Sequence, residues 1–234
     1  MNETYSLFNQ VKDNTPARIR FNEIHNAIRR RIALLQLPPG KRLDIDQFAD
    51  EFNVSRTPIR SVLQRLEYQG LLVTRHGVGT IVTDLDFEHL NEAIQLRMKL
   101  AELIGELTPK KEVTNQISDL SQAVSRLKKI RHKVDLEEFA RIDIIVHECN
   151  IGLIGNTHLL QAYDDLYYRT ARMWFYFLPK LNWKKEIDIF INDTETRLSS
   201  LELGDIKAFG YMTRNAVSAS MIRLQHLMDV SLAV

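Results

Sequence analysis

The chain has one cysteine, Cys149, in 234 residues. No disulfide can close within it and no Cys-x-x-Cys metal clip can form. This fits a reducing compartment, so the cytoplasm is the expected location. No uninterrupted apolar run approaches the roughly 20 residues that cross a bilayer, and no membrane partner is expected. The opening, MNETYSLFNQVKDNTPARIR, lacks the charged-then-apolar layout of a secretion signal. Internal repeats and low-complexity segments are absent, and no charge of one sign dominates: the net charge is +1. Residues 1–84 carry 12 basic and 9 acidic side chains and the remainder 19 and 21. That split leans nucleic acid toward the N-terminal end without deciding it. What is present is an ordinary globular composition, 44% hydrophobic and 26% charged, in a chain long enough for two domains.

Residues 1–14 are polar and read as a flexible lead-in. Thr15-Pro16 then has the cap-plus-proline signature of a helix start. Phe21, Ile24, Ala27, Ile28, Ile32 and Leu35 follow at helical spacing, and Pro38-Pro39-Gly40 stops the run. Asp44 reads as the cap of a short helix with Ile45, Phe48, Ala49 and Phe52 inward, and Asn53 suits its left-handed end. Thr57-Pro58 repeats the start signature, with Ile59, Val62, Leu63 and Leu66 inward and Gly70 as the stop. Two β-type segments, 71–75 and 80–83, flank the hairpin turn His76-Gly77-Val78-Gly79. Helix, helix, turn, helix, hairpin over 15–83 is a winged helix-turn-helix. A short acidic linker over 84–88 leads into 89–234, where glycine and proline are scarce. Helices are expected near 86–107, 112–131, 135–154, 157–178, 185–203 and 205–228. The fold class is therefore mainly α: a winged helix-turn-helix followed by an all-helical bundle.

The helix opening at Thr57 carries Arg60, Ser61 and Gln64 on its polar face, with Arg56 just before its cap. A helix that reads DNA needs an apolar side to dock and polar N-terminal residues to reach base edges and phosphates. The arginine fork can bond guanine O6 and N7 together or clamp a phosphate. Arg75, His76 and Gly77 at the hairpin tip suit a wing on the DNA backbone or minor groove. Arg29, Arg30 and Arg31 add positive charge along the first helix. Residues 37–82 resemble the GntR family of bacterial regulators. The matching elements include Pro39-Gly40, Leu43, Phe48-Ala49, Val54-Ser55-Arg56-Thr57-Pro58-Ile59-Arg60, Arg65-Leu66-Glu67, Gly70-Leu71 and Gly77-x-Gly79-Thr80. The resemblance implies a homodimer on double-stranded DNA with a short palindromic operator, with Arg56, Arg60 and His76 at the family's contact positions. Asp46 departs from the pattern, standing where some relatives place an arginine on the DNA.

Further along, Phe139, Asp143, Val146, His147, Asn150 and Ile154 share one helical stripe, which turns Asp143 and His147 inward one turn apart. Leu159, Ala162, Leu166, Arg169, Met173 and Phe177 share another, which puts the Arg169 guanidinium on an apolar face. Inward charges from adjacent helices form either a buried ion pair or a polar ligand pocket. Residues 90–226 resemble, more loosely, the FCD ligand-binding domain of the FadR-like subfamily. Its anchors here are Arg97, Asp143-x-x-x-His147, Gly155-Asn156, Arg169 and Gly204-Asp205. The resemblance implies a small-molecule effector, and Arg97, Asp143, His147, Arg169 and Thr194 are the expected pocket residues. Arg169 is the expected anchor for a carboxylate effector.

Many members of that subfamily hold a divalent metal with one Asp and three His. Asp143 and His147 match two ligands, but Thr194 and Ala216 stand where the other two are expected. A hydroxyl and a methyl do not replace two imidazoles, so the cofactor is unknown, with a divalent metal the lesser reading. A hydrogen-bonded Asp143–His147 pair is preferred. The function expected is a DNA-binding regulator, a repressor by resemblance, modulated by a small-molecule effector, and not an enzyme. Two rivals stay open: a helical domain that only dimerises, and an enzyme using Asp143 and His147 as acid and base.

Overall fold

The structure, a computed structural model, describes the backbone of residues 15–232 and the side chains of 15–227; the lead-in over 1–14 lies outside the described residues. The chain divides into two compact units, one running to residue 84 and the other from Leu85 onward, with residues 33–35 grouped with the second.

In the first unit α1 (Pro16–Ala33) buries Ile24, Ile28 and Ile32. Helix α2 (Ile45–Phe52) begins where the Asp44 carboxylate accepts from the Asp46 and Gln47 amides at 2.8 and 3.3 Å. It ends at Asn53, whose φ of 50° reverses the chain as the sequence predicts. Helix α3 (Arg56–Tyr68) starts two residues earlier than the Thr57-Pro58 signature suggests. Ser55 holds the extended cap position, and Arg56 lies inside the first turn. Pro58 is tolerated there because amides of the first turn have no helical partner to lose. Strands β1 (Leu72–Arg75) and β2 (Gly79–Val82) pair antiparallel, Leu72 against Val82 and Arg75 against Gly79. The loop is thus three residues, with Gly77 at φ 74°, a conformation that a β-carbon disfavours. The segment after Gly40 adds a bridge from Arg42 to Ile81, which the sequence pattern does not predict.

The second unit is all α: α4 (Phe87–Glu102), α5 (Thr114–Ile130), α6 (Leu136–Leu153), α7 (Thr157–Phe177), α8 (Trp183–Glu202) and α9 (Ile206–Leu232). Helix α4 packs on α7 and α9, α5 on α6 and α8, and α8 on α9. One core gathers Leu120, Leu127, Phe139, Val146, Ile187 and Phe209. A smaller one joins Leu90, Ile94, Met173, Phe177, Met221 and Leu224 from α4, α7 and α9. Gly204 (φ 73°) and Asp205, which caps α9 by accepting from the Ala208 amide at 2.8 Å, form the expected α8–α9 break. At the end of α4, a methyl group on Gly105 would run into the backbone carbonyl of Ile206 and the Cα of Lys207.

Gly105→Ala should therefore push α4 and α9 apart. The expected loss is about 1–3 kcal/mol of stability, read as a lower urea midpoint for the helical domain. An unchanged midpoint would contradict this packing.

Candidate functional site

Two regions carry polar side chains that their own unit does not use up. The first is the outer face of α3. While Ile59, Val62, Leu63 and Leu66 are buried, Arg56, Thr57, Arg60, Ser61 and Gln64 are all exposed. The turn beside them exposes Arg75, His76 and Gly77. Glu67 holds the hairpin to α3, accepting from the Thr74 amide at 2.7 Å and its hydroxyl at 3.0 Å. The helix and the wing therefore present their cations from one braced frame.

Several charges near this face behave differently from the sequence reading. Asp46 is not merely a missing cation, because its carboxylate accepts from Arg56 Nη2 at 2.9 Å. Both side chains are more than half exposed, so the pair adds little stability, but it occupies Arg56. The arginines of α1 do not form a free basic strip: Arg29 is buried, and Arg31 makes a two-pronged contact with Glu51 of α2. His25 is also buried, bonded through Nε2 to Gln69 Oε1 at 2.8 Å. Burial pushes its pKa below the usual histidine value, so it serves the packing of α1 on the end of α3. Arg42, which sequence reasoning passes over, is exposed and lies alongside Gly79 of the wing. Nothing local marks it, because the bridge that positions it joins distant residues.

The second region is a cavity of about 110 Å³ among α4, α6, α7, α8 and α9. Its apolar wall includes Phe139, Tyr167, Trp174, Phe190 and Met221, and its polar wall includes Arg97, Asp143, His147, Asn150, Arg197 and Thr213. Asp143 and His147 both reach it, as predicted, but they are not each other's partner. Asp143 accepts from the Tyr167 hydroxyl at 2.7 Å, while His147 Nε2 bonds Asp164 at 2.8 Å and its ring stacks on Tyr167 at 3.6 Å. Arg97 reaches in from α4, donates to the Thr170 hydroxyl at 3.1 Å and stands over the rings of Tyr167 and Tyr163. Buried polar atoms without a hydrogen bond include Arg97 Nε, Asn150 Oδ1 and Thr213 Oγ1.

Arg169 does not line this cavity; it is half-buried elsewhere on α7. Both flanks of α7 are apolar or aromatic, and the stripe that faces the cavity is Tyr167, Thr170 and Trp174. Besides Arg97 and Arg223, the cavity is lined by the guanidinium of Arg197 of α8, which sequence reasoning misses. Its one signal is a position three residues after Thr194, on the same helical stripe. Arg172, also on α7, is buried.

The residues do not suit the divalent metal that the FCD resemblance implies. Asp143 is held by a hydroxyl and His147 by a carboxylate. Thr194 turns its hydroxyl back to the Phe190 carbonyl at 2.7 Å, and Ala216 offers a methyl. The Arg197 guanidinium shares that wall and would repel a cation. Among the described residues no group of three or more His, Cys, Asp or Glu is placed to hold a metal. Cys149 is no nucleophile either, because burial pushes its thiol pKa up to about 12.

The same architecture recurs in known proteins. Residues 21–82 match the model of the bacterial regulatory proteins of the gntR family, and residues 92–188 match that of the FCD domain. The chain belongs to the GntR family. Its N-terminal unit is the family's helix-turn-helix domain and its helical unit an FCD domain. The gluconate operon transcriptional repressor of Bacillus licheniformis is 27% identical over 59% of this chain and 57% of its own length. The regulator YdhC of Bacillus subtilis is 28% identical over 65% and 68%. The structure of Escherichia coli McbR/YncC superposes with a TM-score of 0.76 at 17% identity, covering 89% of this chain and 98% of that one. Members of this family regulate transcription by binding DNA, and no described helix is long and apolar enough to cross a membrane.

The cavity has a pH signature. Desolvation raises the Asp143 pKa above its ordinary 3.8, against the Tyr167 hydrogen bond and the charges of Arg97 and Arg197. The folded protein therefore holds this proton more tightly than the unfolded chain, and the stability tied to it is lost as pH rises through the folded value. Asp143→Asn should melt higher than wild type at neutral pH, with the gain shrinking as pH falls toward the ordinary carboxylate range. A variant that melts lower at neutral pH would mean the ionised carboxylate is favourable where it stands.

Proposed function

We propose that this GntR-family regulator is a repressor that binds a palindromic operator as a homodimer and is modulated by a small carboxylate bound in the FCD cavity. The observation that carries the DNA half is the exposed polar face of α3, braced to the wing by Glu67. Arg60 and Gln64 point away from the buried side of α3 and suit base edges. Arg56, Arg75, His76 and the Gly77 backbone suit phosphates and the minor groove. Affinity then comes largely from counterion release and falls steeply with salt. Repression is supported by the names of relatives, including the gluconate operon repressors and the "probable D-xylose utilization operon transcriptional repressor" of Paenarthrobacter nicotinovorans.

The effector half rests on the cavity. A helical domain used only for dimerisation has no need of buried arginines and unpaired polar atoms around an internal space. An enzymatic reading has no support in the same residues, because Asp143 is engaged by Tyr167 and His147 by Asp164 rather than forming an acid–base pair.

Arg60→Ala should weaken specific operator binding at least tenfold while the dimer, sized by light scattering, stays intact. Unchanged affinity would remove α3 as the reading element. Asp46→Asn should free Arg56, raise affinity for any duplex alike and steepen the log–log salt dependence by about one. An unaltered slope would mean Arg56 makes no phosphate contact.

A further inference from the structure

We propose that Arg42 is a DNA contact: with Arg75 it forms a two-arginine clip on the outer face of the wing that prefers an A·T-rich minor groove beside the base pairs read by α3. This rests on the reading of α3 and the wing as the DNA-binding face, and adds to it one residue and a sequence preference.

Arg42 belongs to the wing although the chain reaches it before α2. Residues 40–43 run beside β2 as a third, strand-like segment. The Leu43 amide donates to the Thr80 carbonyl at 2.9 Å, the Val82 amide to the Lys41 carbonyl at 3.0 Å, and the Gly40 amide to the Val82 carbonyl at 3.0 Å. These bonds frame the bridge from Arg42 to Ile81 and leave β2 between β1 and the segment. Successive side chains of a strand point to opposite faces. Thr74 and its cross-strand partner Thr80 take the face that Glu67 ties to α3. Arg75 and its partner Gly79 take the other. Arg42 shares that second face, because its Nε would stand 3.5 Å from a β-carbon placed on Gly79. The bare Gly79 therefore lies between two arginines.

Both arginines are exposed, and among the described residues neither guanidinium makes a hydrogen bond or an ion pair. Arg31 and Arg56 of the same unit are each held by a carboxylate. A guanidinium donates hydrogen bonds and accepts none. In the minor groove an A·T pair shows only the acceptors adenine N3 and thymine O2, whereas a G·C pair adds the guanine N2 amino donor. A·T runs also narrow the groove and deepen its negative potential, which draws arginine in. A side chain at position 79 would stand between the two guanidiniums and hold the strand away from the groove; glycine lets the backbone approach.

The test uses the full-length protein and the duplex core that it retains in selection from a random library. The core is synthesised with flanks of A·T pairs, of G·C pairs, or of inosine·C pairs. Inosine lacks the N2 amino group but keeps the major-groove edge of guanine. Dissociation constants are read by fluorescence anisotropy at one fixed salt concentration. The A·T and inosine·C flanks should bind alike, about fivefold or more tighter than the G·C flanks. Arg42→Gln should shrink that difference below about twofold while still enriching the symmetric core. Lys41→Gln, which removes an exposed charge from the next position, should keep the full difference. A preference that survives Arg42→Gln would overturn the proposal, and so would inosine·C flanks that bind like G·C. Equal weakening of Arg42→Gln on all three flanks would make Arg42 a general phosphate contact and overturn the A·T preference. Loss of the core together with the preference would mark Arg42 as structural, which also overturns it. A core enriched by wild type with no flank preference would sink this proposal alone. No enriched core at all would sink the reading of α3 as well.

Discussion

A guanidinium can be buried among helices only if something answers its charge, and the interior of the FCD domain is arranged around that demand. Arg223 is answered by Glu186 and the face of Trp174. Arg97 is answered by Thr170, two tyrosine rings and the charge of Asp143, and Arg197 by the charges of Asp193 and Asp143. The tyrosines are therefore more than filler. Tyr167 bonds Asp143, stacks on His147 and lies under Arg97, so one ring fixes three polar side chains around the same space. A domain selected for stability alone would replace such groups with aliphatic side chains. Keeping them, at a cost in stability, is what the proposed effector site requires.

Much of the architecture was legible in the sequence because it is local. The Asp44 cap, the left-handed Asn53, the hairpin glycines and the Gly204-Asp205 break are short-range chemistry, and each falls where the pattern predicts. The two-residue error at the start of α3 arises because Ser55 and Thr57 are both cap-type residues and proline is accepted throughout the first turn. Pairings across the fold were not legible. Nothing near Asp46 in the chain announces Arg56, and nothing near His25 announces Gln69.

The cavity divides along the same line. Asp143 and His147 were visible as inward charges on one stripe, but their partners, Tyr167 and Asp164, sit on another helix. Arg169 was the natural choice from an apolar stripe on α7, yet that helix is apolar on more than one flank, and periodicity cannot tell which flank faces the space. Arg197 sits in a polar run, Asn192-Asp193-Thr194-Glu195-Thr196-Arg197, that reads as solvated surface. Only the packing of α8 against α5 and α9 makes it interior. The absence of two imidazoles was plain from the sequence, whereas the guanidinium standing near them was not.

The N-terminal domain works by the opposite economy, leaving its cations in water where phosphates can displace their counterions. The central claim, that this face reads a symmetric operator, is tested most directly by selecting duplexes from a random library with the full-length protein and sequencing what is retained. The account predicts enrichment of a short sequence with two-fold symmetry, lost when Arg60 is replaced. Retention without sequence enrichment, or enrichment of a site lacking symmetry, would contradict it.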